Sequence, residues 1–129
     1  MILRFLLAVA LGAGIGYQRE RAGKAAGMRT HILVSAGAAL FTLVSIYGFS
    51  GDVVDISRVA AGVVVGVGFI GAGVILHGRR EEEVAGLTTA ASIWVTAAIG
   101  LAAGAGMYLV SVVATAIIEG VLLLPKIRG

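Results

Sequence analysis

The chain has 129 residues, of which 59% are hydrophobic and 13% charged, with 20 glycines, one proline, no cysteine and a formal net charge of +3. Soluble domains carry about 25% charged residues and about 7% glycine, so this composition and a mean hydropathy of +1.03 exclude an ordinary soluble domain. The chain is too apolar for disorder and has neither a collagen period nor a cysteine framework; an all-α polytopic membrane bundle remains.

The charged residues divide the chain into five apolar runs, 5–18, 30–49, 59–77, 87–104 and 106–124, forming a single membrane domain over 1–129. The first run lies between Arg4 and Arg19 and spans only about 21 Å as a helix, so it needs snorkelling arginines or a thinned bilayer. One arginine precedes it and four Lys/Arg follow, the reverse of a cleavable signal peptide, so a retained span is expected. Counting basic residues gives Arg19, Arg21, Lys24, Arg29, Arg79, Arg80, Lys126 and Arg128 on one side and Arg4 and Arg58 on the other. The positive-inside rule then predicts an outer N-terminus and a cytoplasmic C-terminus in the plasma membrane of a prokaryote. The same topology signals explain the basic pI, and without aromatic interleaving no nucleic-acid partner is expected.

An offset of 59 residues aligns the first run and its following loop with the third. Gly12-Ala13-Gly14 falls on Gly71-Ala72-Gly73, Arg21 on Arg80, Ala26-Gly27 on Ala85-Gly86, Thr30 on Thr89 and Ala38-Ala39 on Ala97-Ala98, nine identities in the 28 positions from 12 to 39. Helices 1–2 and 3–4 are therefore expected to form a parallel repeat about an axis along the membrane normal, with helix 5 added.

Glycines four apart let helix backbones approach in lipid. Gly12 and Gly16, Gly62 and Gly66, and Gly100 and Gly104 have this spacing. The third run holds Gly62, Gly66, Gly68, Gly71 and Gly73, so it is expected near the centre of the bundle, with local unwinding over 66–73 as the minority alternative. Gly66-Val67-Gly68-Phe69-Ile70-Gly71 fits a dinucleotide fingerprint, but it lies inside an apolar run and lacks the acid about 20 residues on. The two histidines, His31 and His77, have no metal-ligand spacing and read as interfacial packing. No enzymatic constellation is present.

Gly27-Met28-Arg29-Thr30-His31, Ala36-Gly37-Ala38-Ala39-Leu40-Phe41, Arg58-Val59-Ala60-Ala61, the run from Gly66 to Ile75, and Gly86-Leu87-Thr88-Thr89-Ala90-Ala91-Ser92-Ile93-Trp94 resemble the signature blocks of the MgtC/SapB family. The resemblance covers roughly residues 10–110 and implies a plasma-membrane protein of magnesium homeostasis, in a short form lacking a C-terminal cytoplasmic domain. It also implies departures: Gln18 stands where the family commonly has Glu, Gly62 where it commonly has Gln, and Val65 where Ser is usual. The acidic group at 18 and the polar groups at 62 and 65 are thereby missing, which weakens any pore in helix 3.

Asp52 and Asp55 are candidate cation-recruiting residues, since magnesium prefers hard oxygen ligands and retains waters. The alternative for Asp55 is a cap on the following helix. Glu119 is the third candidate, because an ionisable group in a membrane helix is functional by default; snorkelling or pairing with Lys126 is its plainer reading. Arg29 and Thr30, with Thr88 and Thr89, are expected at the starts of helices 2 and 4, as an inner-face anion site or as simple caps. Ser92, Trp94 and Thr96 supply polarity along helix 4. Two functions follow: magnesium transport or retention, with magnesium as ligand or substrate and no other cofactor, or a non-transporting regulator of another membrane complex such as the ATP synthase. Either expects the lipid bilayer as surroundings and a homo-oligomer, most simply a dimer.

Overall fold

The computed structural model describes residues 1–51, 53–76 and 83–124, with the backbone alone for 83–85. It consists of five α-helices: α1 (Ile2–Arg21), α2 (Met28–Tyr47), α3 (Ser57–Leu76), α4 (Glu83–Gly104) and α5 (Tyr108–Leu122). The first four are long and apolar enough to cross a membrane. At 1.5 Å per residue, the 15 residues of α5 span only about 22 Å. The short element is therefore α5, whereas α1 runs for 20 residues because the helix continues through the arginines that bound its apolar run.

Two ends are set by glycine. Beyond α1, Gly23 adopts φ 70° and the Lys24 N–H donates to the Arg19 carbonyl at 3.0 Å. Beyond α4, Gly106 adopts φ 87° and the Met107 N–H donates to the Ala102 carbonyl at 2.9 Å. Both are Schellman closures, in which a left-handed glycine allows the last carbonyls to find donors. Arg4 reinforces the second: its Nη1 donates to the Gly104 carbonyl at 3.2 Å, placing a cation at the negative end of α4, and its guanidinium lies over the Tyr47 ring.

The expected parallel repeat is present. In the first hairpin a Cβ at Gly12 would meet the His31 carbonyl, and one at Gly16 the Met28 Cα. In the second, Gly71 faces Ala90 and Gly86 faces Ile75. Shifting the first set by 59 reproduces the second to within one residue. Between hairpins, Ser92 contacts His31, Gly100 faces Ser35 and Gly104 faces Ala39; residue numbers rise together, so α2 and α4 run parallel. Val34 and Ala38 share one core with their counterparts Ile93 and Ala97.

The centre of the bundle is α4, which packs against all four other helices. This overturns the central place expected for α3. Only Val63, Val67 and Gly71 of α3 are buried, a single stripe, and a would-be Cβ at Gly62, Gly66 or Gly68 meets no neighbouring helix within 4 Å among the described residues. Gly62 and Gly66 instead line an apolar groove of about 630 Å³ between α2 and α3, with Leu33, Gly37 and Phe41 opposite. Gly12 and Gly16 do pack α1 on α2, and Gly100 and Gly104 pack α4 on α2. The helix is continuous through 66–73, so neither unwinding nor a phosphate-binding loop occurs there.

Candidate functional site

Polar side chains converge where α1, α2 and α4 meet, near the α1–α2 turn. On α1, Ala8, Gly12, Ile15, Gly16 and Arg19 form one buried face, so Arg19 continues a small-residue stripe into the interior and is only 3% exposed. Its Nη2 donates to Thr89 Oγ1 of α4 at 2.8 Å, while its Nε–H has no acceptor among the described residues. Beside it lies His31, fully buried. Its Nδ1 lies 2.8 Å from the Gly27 carbonyl and its Nε2 2.9 Å from Ser92 Oγ of α4. Ser92 Oγ also reaches the Thr89 carbonyl at 2.8 Å. Farther along, Ser35 donates to the Ala8 carbonyl at 2.7 Å, and Thr96 donates to the Ser92 carbonyl at 2.6 Å. In a low-dielectric interior such polar groups need their partners, and here those partners tie three helices together.

The residues singled out in the sequence fall in several places. Ser92 and Thr96 join this cluster, but Trp94 is 56% exposed on another face of α4. The set Arg29, Thr30, Thr88 and Thr89 does not assemble at two helix starts. Helix α4 begins at Glu83, so Thr88 and Thr89 stand more than a turn inside it; Thr89 is buried on Arg19 and Thr88 is exposed. Helix α2 begins at Met28, is N-capped by Gly27 and receives no cap from its own side chains. A carboxylate from the preceding helix occupies that terminus: Glu20 Oε1 accepts from the Met28 N–H at 3.4 Å, in a cleft shared with Arg29 and Thr30. An acid already placed there opposes an anion.

Asp55 caps α3. Its Oδ1 accepts from the Ser57 N–H at 3.0 Å and from the Ser57 hydroxyl at 2.7 Å. The Ser57 bonds, aided by nearby Arg58, hold this exposed carboxyl below its ordinary value. Asp52 and Lys126 lie outside the described residues, as does His77. Glu119 projects from α5 onto α1, where its Oε1 would lie 2.8 Å from a Cβ at Gly14, so the absent side chain leaves room for the carboxylate. Gln18 Nε2 donates to the Glu119 backbone carbonyl at 3.2 Å. No three His, Cys, Asp or Glu side chains among the described residues gather in a way that would hold a metal ion.

Arg19 and His31 are the functional candidates that composition hid, because one reads as a topology charge and the other as an interfacial ring. The available signal was periodicity: Arg19 follows Ala8, Gly12 and Ile15 on one helical face, and His31 shares a face with Ser35 and Ala38.

Four membrane-length helices with hydroxyl and glycine contacts between them define a multi-pass membrane protein. The chain matches the MgtC family over residues 5–127 and belongs to that family. It is 54% identical over 114 residues to the Escherichia coli K12 protein named putative magnesium transporter YhiD, covering 83% of this chain and 52% of that one. It is 45% identical to protein SrpB of Synechococcus elongatus, covering 87% of this chain and 67% of that one. It is also 45% identical to protein MgtC of Salmonella typhimurium, covering 91% of this chain and 48% of that one. The chain thus spans about half the length of the YhiD and MgtC relatives. No solved structure matches it.

Proposed function

We propose that this protein serves magnesium homeostasis and, more specifically, moves Mg²⁺ as substrate across the plasma membrane of a prokaryote. The observation that carries the reading is its 54% identity, over 83% of the chain, to a relative named as a putative magnesium transporter. Two carboxylates support it. Asp55 is exposed beyond α3, and Glu119 is half-buried on the α1–α5 seam with no hydrogen bond to its carboxylate among the described residues. Carboxylate oxygens left open to water suit a hard cation that keeps most of its hydration shell. In the orientation set by the basic residues, Asp55 lies at the outer end and Glu119 toward the cytoplasmic end.

A two-fold dimer is part of this proposal. Within one chain the contacts of α2 with α1 and α4 bring backbone against glycine, which favours a path between two copies over one along those two seams. Reconstituted liposomes loaded with a magnesium-sensitive dye provide the test. Flux above that of empty liposomes, reduced at least about tenfold by Glu119→Gln and more weakly by Asp55→Asn, is the expected result. No flux above empty liposomes overturns transport and leaves regulation of another membrane complex; a monomer in crosslinked native membranes overturns the dimer.

A further inference from the structure

His31 is completely buried, and the hydrogen bonds around it contain one choice. The Gly27 carbonyl can only accept, so the ring nitrogen 2.8 Å away, Nδ1, carries a proton. The Ser92 hydroxyl has one proton and two acceptors in range: His31 Nε2 at 2.9 Å and the Thr89 carbonyl at 2.8 Å. When the ring is neutral, the hydroxyl donates to Nε2. When the ring takes a second proton, Nε2–H donates to Ser92 Oγ and the hydroxyl turns to the Thr89 carbonyl. Both arrangements satisfy both ring nitrogens with the same heavy-atom positions. Buried groups that change charge ordinarily leave a donor or acceptor stranded, at a cost of about 1–3 kcal/mol; rotation of one hydroxyl avoids that here.

We propose that His31 is a proton-binding site within the membrane domain, and that the Ser92 hydroxyl is the rotor that serves both the neutral and the protonated ring. Among the described residues the charged groups facing it are few. Helix α1 presents the Arg19 guanidinium, held by Thr89, and at the edge of the site the Glu20 carboxylate, beside Gly27 and the Met28 N–H. Helix α4 presents the hydroxyls of Thr89 and Ser92 and no ionisable group among its described side chains. On α2 itself Arg29 is exposed. A proton on His31 therefore places a second positive charge beside Arg19. Their repulsion acts on the Arg19–Thr89 link between α1 and α4, so proton occupancy biases that contact. This site is independent of the magnesium reading, and its readout is the ring itself.

The test is nitrogen NMR of ¹⁵N-histidine-labelled full chain in bilayers, with His77→Gln leaving one ring signal. At alkaline pH the expected ring is neutral with its proton on Nδ1; as the pH falls to about 5 both nitrogens become protonated. Charge-assisted hydrogen bonds are about twice as strong as neutral ones, so Ser92→Ala weakens proton binding about three- to tenfold; Ser92→Thr, which keeps the hydroxyl, restores it. A ring that never takes the second proton, a neutral ring protonated on Nε2, or a folded Ser92→Ala protein with unchanged proton affinity overturns the proposal. The first two readouts use intact Ser92, so they decide the matter even if the alanine variant fails to fold.

Discussion

In the first hairpin a Cβ at Gly12 would sit 2.7 Å from the His31 carbonyl, and in the second the corresponding Gly71 would place one 3.4 Å from the Ala90 Cβ. The two hairpins thus share a register but not a depth of approach. The close α1–α2 contact lets Ser35 reach the Ala8 carbonyl and puts Arg19 and His31 in the interior. The α3–α4 contact keeps ordinary van der Waals spacing and leaves most of α3 facing outward. The two cross-seams differ as well: α1 meets α4 through buried Ala8 and Ala103, whereas α2 and α3 part to form the groove lined by Gly62 and Gly66. A duplicated hairpin has therefore become one structural half and one half with an open face. Gly12 and Gly71 hold equivalent positions in the repeat, so at that position glycine alone does not distinguish the hairpins; what faces the glycine does.

The largest test of this contrast is a pair of glycine substitutions. Gly12→Ala would place a Cβ 2.7 Å from the His31 carbonyl and is expected to destabilise the protein by about 3 kcal/mol. Gly66→Ala meets nothing within 4 Å and is expected to be neutral or to stabilise α3 by about 0.5 kcal/mol. Thermal unfolding of the detergent-purified variants measures both, and equal losses would erase the distinction between the two faces. Next in size, Thr89→Val keeps shape but removes the acceptor of the buried Arg19 guanidinium, with an expected cost of about 2 kcal/mol. The repeat counterpart, Thr30→Val, lies on the partly exposed cleft and should change stability by less than about 0.5 kcal/mol; chemical unfolding of the pair would reveal any closer equivalence.

Ser35→Ala should cost about 1 kcal/mol, the usual scale of an interhelical hydroxyl bond in a membrane, and should increase amide exchange in α1 around Ala8 more than in α3. The smallest effect is at Asp55. Because its folded carboxyl is held below the ordinary value of 3.8, its contribution is fully present above that value and is lost as pH falls through the lower folded one. Amide exchange at Ser57 is expected to rise over that acidic range, and Asp55→Asn should abolish the pH dependence. An unchanged profile in the variant would show that another group controls the start of α3.

Much of this fold is legible in the residues because the rules of lipid are strict. Backbone groups must be satisfied within each segment and charges are costly in hydrocarbon, so runs bounded by Arg4, Arg19, Arg29 and Arg58 had to become helices. The 59-residue offset similarly required two like hairpins. Boundaries were less legible: α2 begins at Met28 because Glu20, from the preceding helix, accepts its N–H, and no local pattern around Thr30 contains that information. Asp55 was legible as a cap because its partner is only two residues away.

By itself the sequence determined the number of helices, their membrane character, the repeat and the family. The tertiary structure alone decided which glycines carry contacts, that α4 and not α3 is central, and that Arg19 and His31 are interior groups. The physical reason is that composition reports what a helix is made of, whereas burial depends on which face meets another chain segment. A glycine facing open space and one pressed on a carbonyl read the same, and an arginine at a helix end becomes buried only when a partner such as Thr89 comes from another helix, 70 residues along the chain.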